Sequence, residues 1–261
     1  MPVTNNQTLG RGRLYFDKFT TGTQVGTGER YFGNTTEVSL TSESSNLDHY
    51  SADAGVKVKD KSVQLELNRS ATFITDNISP ENLALFFLGA ESSVTQTLLT
   101  TQTETFTAVK KGYFYQIGKT TNRPQGLGGL TNVVVSGPSG TPVYTAGTDY
   151  VINLDTGHLE ILEAGTIANA ANVEVDYDIR AATFSRIITA SEGTIEGALR
   201  YISDNPEGDN FSFFWPDVKI TPNGDFALKG DDWQTIPFNV EILKKNDATE
   251  ACYITGRPVY A

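Results

Sequence analysis

The 261-residue chain is poor in the side chains that most chemistry needs. It has one cysteine, Cys252, so no internal disulfide can form and no cysteine-based zinc site can be built. Its two histidines, His49 and His158, stand far apart, and neither has a partner at metal-ligand spacing. No apolar run approaches the ~20 residues that cross a bilayer. The opening Met-Pro-Val-Thr-Asn-Asn-Gln-Thr has neither the basic start nor the apolar stretch of a secretion signal. Positive charge is short as well: 20 Lys and Arg face 31 Asp and Glu, a net charge of −11. Gripping nucleic acid through its phosphates requires clustered Lys and Arg that release counterions, so that function is disfavoured. These absences predict a folded chain of one to two domains, outside the membrane, made in a reducing cytoplasm.

What the chain has in abundance is alternation. Val38 and Leu40 alternate with Glu37, Ser39 and Thr41, and Val63, Leu65 and Leu67 with Gln64, Glu66 and Asn68. The same period recurs at Val173, Val175 and Tyr177, at Phe211, Phe213 and Trp215, and at Ile236, Phe238, Val240 and Ile242. Turn signals such as Asp155-Thr156-Gly157 and Pro222-Asn223-Gly224-Asp225 separate these runs. Period two with intervening turns predicts half-buried antiparallel strands, each with one apolar and one polar face. One helix interrupts them. Ser79 can cap it, Pro80 suits its first position, Glu81 complements its N-terminus, and Leu83, Phe86 and Phe87 follow at helical spacing before Gly89. So short a helix must rest its apolar face on a sheet.

Two regions differ from this pattern. Glu43 to Lys61 joins two convincing strands and is far longer than a hairpin connection. It reads either as a disordered loop tip or as an arm that orders against a neighbouring subunit, offering Leu47, Tyr50, Val56 and Val58. The second region, 122–180, opens with Pro124, Gly126, Gly128 and Gly129 and holds several short strands of its own. It is either a β-rich insertion or an extension of the main sheet, within a discontinuous core formed by 1–121 and 181–261.

Candidate catalytic motifs fail one by one. Gly112 to Thr120 places five residues between its glycines where a phosphate-binding loop needs four, and those five have strand chemistry. Gly22, Gly26 and Gly28 do not form the dinucleotide fingerprint and read as a flexible turn. Asp231-Asp232 before Trp233 reads as a turn, because neighbours on a strand point to opposite faces. Cys252 reads as a buried inert thiol, and His49 and His158 as loop and turn residues. No nucleophile, base and orienting group come together, so no catalytic residue, metal site or cofactor is expected.

Several stretches nonetheless resemble a known family. Tyr31–Leu40, Asp48–Val63 and Asp76–Gly89, followed by Glu196–Arg200, Asp204–Gly208 and Val218–Phe238, are together similar to the major tail tube proteins of phages with long, non-contractile tails. The resemblance implies a β-sandwich or barrel-like protomer with a flanking helix. It implies hexameric rings stacked head to tail into a tube that conducts genomic DNA during ejection. It further implies that 46–61 is a long inter-ring loop, with Leu47, His49, Tyr50, Val56 and Val58 in the stacking contact. The partners it implies are other copies of the chain, the tape measure, terminator and distal tail proteins at the tube ends, and DNA that passes without specific binding. The location is then the virion tail, assembled in the host cytoplasm, with no membrane contact.

A conduit for DNA should not hold it. Carboxylates lining a bore repel phosphates at short range, while salt screens the field beyond ~10 Å. Glu37, Glu66, Glu196 and Glu241 lie on polar strand positions and are the candidate lumen-facing acids. Two alternatives share this composition: a type VI secretion-like tube protein, and a capsid decoration or adhesin protein of the virion.

Overall fold

The computed structural model describes residues 7–53 and 55–257. The opening six residues, read above for a leader, lie outside them. The chain divides into two units, the first formed by the residues up to Ser92 together with those from Arg186 onward and the second by Ser93–Ser185. In the first unit β1 (Gly12–Lys18), β2 (Arg30–Tyr31), β3 (Thr35–Ser51) and β4 (Val58–Thr75) precede α1 (Pro80–Phe86). β5 (Ala90–Gln96) leads into the second unit. That unit holds β6 (Leu99–Val109), β7 (Phe114–Gln116), β8 (Leu130–Ser136), β9 (Tyr150–Asn153), β10 (His158–Ile161) and β11 (Ala171–Ile179). β12 (Ala182–Ile188), paired with β5, leads back to β13 (Ile195–Ser203), β14 (Phe211–Pro222), β15 (Ile236–Ile242) and β16 (Tyr253–Gly256). The fold is all-β with one short helix, and its larger sheets are antiparallel.

The main sheet of the first unit runs β2-β1-β13-β14-β15-β4-β3, with β16 pairing the start of β14. Laid flat, the six strand gaps from β2 to β3 would span about 29 Å. Yet only Phe32, Gly33 and Asn34 separate those two edge strands in sequence, a reach of at most about 14 Å from Tyr31 to Thr35. The sheet must therefore curl into a partly closed, barrel-like shell. Phe32 lies in its centre, with ring centroids 4.7 Å from Phe73, 5.8 Å from Phe16 and 6.1 Å from Phe238. Leu14, Trp215, Val218, Ile220 and Val240 fill the same core.

The helix caps this core as its sequence suggests. The Ser79 hydroxyl accepts a hydrogen bond from the Asn82 N–H at 3.2 Å, and Pro80 opens the first turn. Leu85 and Phe86 are buried, with Phe86 edge-on to Phe238 at 6.2 Å, whereas Phe87 stays exposed against Phe226. The buried Asn82 amide donates to the carbonyls of Phe32 and Asn77 at 2.9 and 2.8 Å, tying the helix to the short link between β2 and β3. The left-handed position after the helix falls on Leu88 (φ 48°) rather than Gly89. Gly89 serves a different purpose, since a Cβ there would sit 2.5 Å from the Ile188 carbonyl.

The second unit has its own core. Sheets β6-β11-β8 and β7-β10-β9 enclose Val109, Ile117, Leu130, Leu159, Val173 and Val175 as a small sandwich. It begins well before the expected insertion at 122, because β6 pairs along β11 and β7 along β10. These partners lie more than 40 residues apart in sequence, and no change of composition marks the boundary at Ser93. Asp149 fastens one corner, accepting from the N–H groups of Thr145 and Thr166 and from the Thr166 hydroxyl, each at 2.8 Å. The Thr145 N–H and then the two Thr166 donors hold its carboxyl below the usual aspartate range.

The stretch expected as a loop is not a loop. β3 and β4 stay paired from Thr35↔Thr75 out to Ser51↔Val58, so the pairing runs through most of the stretch expected as a loop. β15 accompanies β4 only from Thr75 to Ser70, so 42–51 and 58–69 continue as a two-stranded arm about 31 Å long. Residues 43–61 escaped the alternation test because neither face of the arm is buried, so no apolar period marks them. For the same reason Val63, Leu65 and Leu67, expected to face a core, are 57%, 60% and 46% exposed.

Phe238 contacts the helix, β4 and the central Phe32 together. Phe238→Ala is expected to lower stability by about 3–5 kcal/mol, measured as a shifted midpoint in chemical denaturation with an unchanged slope.

Candidate functional site

Because side chains alternate along a strand and cross-strand neighbours share a face, the ladder fixes which residues lie together. Glu196 stands opposite Lys219, Lys219 opposite Glu241, Glu241 opposite Ser70, and Ser70 opposite Thr41. Glu37, opposite Ile74, and Glu66, opposite Ser45, fall on the same side by the same parity. All four carboxylates singled out from the sequence therefore share the sheet face opposite the aromatic core, and Glu43 joins them. Ser39, Thr72 and Asn239 occupy positions between them, and Ile74, opposite Glu37 and Pro237, is an apolar residue among them. Lys219 is its cation, set between Glu196 and Glu241, a residue that the strand pattern alone did not single out. Towards β1 the face also carries Arg200, held by Glu29 at 2.7 Å with its guanidinium 4.4 Å from the centre of the Phe214 ring.

A bulge in the pairing of β13 with β14 places Asp217 at the edge of this face. Asp217 is buried. Its Oδ2 accepts from the Gln24 amide at 3.1 Å, while Oδ1 has no partner among the described residues. Burial, and then the nearby Glu196 carboxylate, push its pKa up, against the opposing pull of Lys245 and the Gln24 hydrogen bond. The Lys245 amine donates to the Gln24 carbonyl at 3.2 Å and lies 4.5 Å from the centre of the Phe19 ring. This explains the Gly-rich stretch 22–28, expected as a flexible turn: it is folded back onto the sheet. Asp17 accepts from the N–H groups of Thr27 and Gly28, both at 2.7 Å, and a Cβ on Gly26 would collide with Asp17 Oδ2 at 2.1 Å.

On the arm, Leu47 faces Val63 across the strands, and Tyr50 faces Lys59. His49 and Val58 also lie on strand positions, and Val56 alone of the expected contact residues lies between the two strands. Polar pairs fasten the ribbon: Lys59 to Asp48 at 2.7 Å, His49 Nδ1 to Asp60 at 2.6 Å, and the Ser62 hydroxyl to Asp48 at 2.6 Å. The Lys59 contact, and then Ser62, hold the Asp48 carboxyl below its ordinary range. Leu47, Tyr50, Val56, Val58, Val63, Leu65 and Leu67 are all exposed. Glu37, Glu43 and Glu66 of the acidic face thus lie on the same two strands as the apolar arm.

The other expected residues stay apart. His158 stacks on Phe114 in the second unit at 4.9 Å. Gly112 to Thr120 is a short strand, β7, running into a turn between Thr120 and Arg123. Cys252 is half-buried, and burial pushes its thiol up. Among the described residues, no group of three or more His, Cys, Asp and Glu is arranged to hold a metal ion.

Asp217 gives a testable pH dependence. Its folded-state pKa is raised, so the folded chain bears a penalty above that pKa and none below the unfolded value, where both states are protonated. Asp217→Asn is therefore expected to stabilise the protein at neutral pH. The advantage should vanish as pH falls through the carboxylate range, read by denaturation at a series of pH values.

No curated protein matches the sequence. A family described as "Protein of unknown function UCP028589" matches residues 7–252. That match takes in both units, from β1 of the first through all of the second and back to β15, so the chain belongs to the family described as Protein of unknown function UCP028589.

Proposed function

We propose that the protein is a self-assembling structural subunit of a phage tail tube. Copies form rings that stack, with the acidic face of the main sheet towards the bore and the arm reaching an adjacent ring. The observation that carries this reading is the arm. A paired ribbon about 31 Å long that displays Leu47, Val58, Val63, Leu65 and Leu67 gains nothing for its own fold from those side chains. Their burial against another copy would contribute on the order of 25 cal/mol per Å² of apolar surface removed from water. An exposed apolar strand pair left without such a partner is an aggregation hazard.

The carboxylate face supports the second half of the reading. Glu37, Glu43, Glu66, Glu196 and Glu241 against Lys219 give that stretch a net negative field, which keeps a passing polyanion in motion rather than bound. Repeated around a ring, such faces would form a continuous acidic lining. Tape measure, terminator and distal tail proteins would meet the tube at its ends, and no cofactor is required.

Electron microscopy of the purified protein tests the reading. Stacked rings or hollow tubes are expected, and a chain that stays monomeric or trimeric at every concentration would refute it. Changing Leu47 and Val63 together to Asp should abolish stacking. Because both side chains are exposed, the cost to the fold should stay at about 1 kcal/mol, from the lost cross-strand pair and the two like charges set opposite each other. For the bore, tubes carrying Lys in place of Glu37, Glu66, Glu196 and Glu241 should retain DNA in a salt-dependent way where wild-type tubes do not. Equal DNA retention by both would count against an acidic lumen.

A further inference from the structure

We infer that Trp233 is the anchor of a head-to-tail contact, seating in an apolar groove at the root of the arm of a second copy of this chain. β14 and β15 pair closely at Pro222↔Phe238, and the Asn223 N–H donates to the Pro237 carbonyl at 3.1 Å. A short turn would suffice to join them. The chain instead makes an excursion over 223–235 with Trp233 at its outer side, 93% exposed, and Leu228 exposed beside it. The loop is closed on itself by the Gln234 amide donating to the Ala227 carbonyl at 2.9 Å. An indole held out on an ordered loop is the kind of group that dominates protein interfaces, because it buries a large area at a small loss of rotamer freedom.

The groove that fits it has a volume of about 380 Å³ and is lined by Leu40, Trp215, Ile242, Cys252 and Ile254, with Arg69 on one side and Glu250 at the rim. Loop and groove occupy opposite ends of β15. The loop enters the strand at Ile236 and the groove is lined by Ile242, about 20 Å further along. A chain therefore cannot fill its own groove with its own Trp233. Charge favours the pairing too. The side chains of Asp231 and Asp232, next to Trp233, make no hydrogen bond or ion pair among the described residues, and neither does that of Arg69, the groove's cation. A contact between two different surfaces of the same chain is heterologous, so it repeats into a ring or a filament instead of stopping at a dimer. The arm leaves from the groove end of the sheet, so an incoming copy whose loop seats there lies alongside the arm. This inference rests on the assembly reading above and specifies which surface of the next copy meets the arm's root.

The test uses Trp233→Ala, which keeps the groove, and Ile254→Arg, which keeps the loop. Each is expected to stay dispersed in sedimentation at a concentration where the wild type polymerises. Mixed one to one, they should form a discrete two-chain species, because one intact loop then meets one intact groove. A misfolded variant could not complement in this way. Acrylamide quenching supplies a second readout: Trp215 is 2% exposed and shielded throughout, so loss of quenching on assembly reports Trp233. An Asp232→Cys variant, oxidised together with the native Cys252, should yield a ladder of covalent oligomers. If Trp233→Ala polymerises like the wild type, or the mixed variants fail to associate, the contact is wrong while the tube reading stands. Covalent closure within single chains would assign the groove to the chain's own loop and also overturn it. If the wild type never assembles, both readings fall.

Discussion

Three residues, Phe32, Gly33 and Asn34, join the two edge strands of a seven-strand path, and that short tether forces the sheet of the first unit to curl. Curling gives the sheet an inside, and Phe32 occupies it, in contact with Phe16, Phe73 and Phe238. The helix is fastened to the same tether through the Asn82 amide, which bonds the Phe32 carbonyl, while the Asn82 carbonyl accepts from Arg30 at 2.8 Å. Gly33 at φ 91° lies against Asn77, where a Cβ would come within 2.4 Å of that side chain. The curvature that makes the core thus depends on a link with little freedom to change.

Curling also divides the labour of β3 and β4. The start of β3 and the end of β4 belong to the shell, with Phe73 and Ala71 inward and Glu37, Thr72 and Ser70 outward. The rest of both strands leaves the shell where β15 ends, and among the described residues the apolar side chains of that part stay exposed. One pair of strands therefore carries the whole arm and, in Glu37, Glu43 and Glu66, part of the acidic face. A one-residue slip of β3 on the rest of the sheet would disturb both at once, moving Glu37 and Glu43 to the core side and pairing each residue of the arm with a new neighbour.

Much of both cores was legible in the sequence. The alternation at 173–177 and 236–242 marked strands that are buried on one face, and Ser79 with Pro80 marked the start of the helix. Glu37, Glu196 and Glu241 were legible as outward positions because each sits next to an inward apolar residue, whereas Glu66 sits between the exposed Leu65 and Leu67. In the arm 62–68 was legible as strand from its alternation, but 43–61 was not, because its residues have no apolar period, and the burial that Val63, Leu65 and Leu67 suggest is absent. The second unit's true start was hidden because β6 and β7 depend on partners far along the chain, which local pattern does not reveal. Lys219, Asp217 and the exposure of Trp233 emerge only once strands are paired.

The passage between the two units has a consequence for how such a chain can vary. β5 and β12 pair, so the outgoing and returning chain lie about one strand spacing, ~4.8 Å, apart. Everything between them is, topologically, the tip of a hairpin. The second unit has a separate core, and no strand of the main sheet's path comes from within it. Enlarging, exchanging or removing it amounts to editing a loop, which leaves the curled shell, its acidic face and its arm unaltered. Within one architecture the chain has a fixed part and a free part, and evolution can rewrite the second without consulting the first.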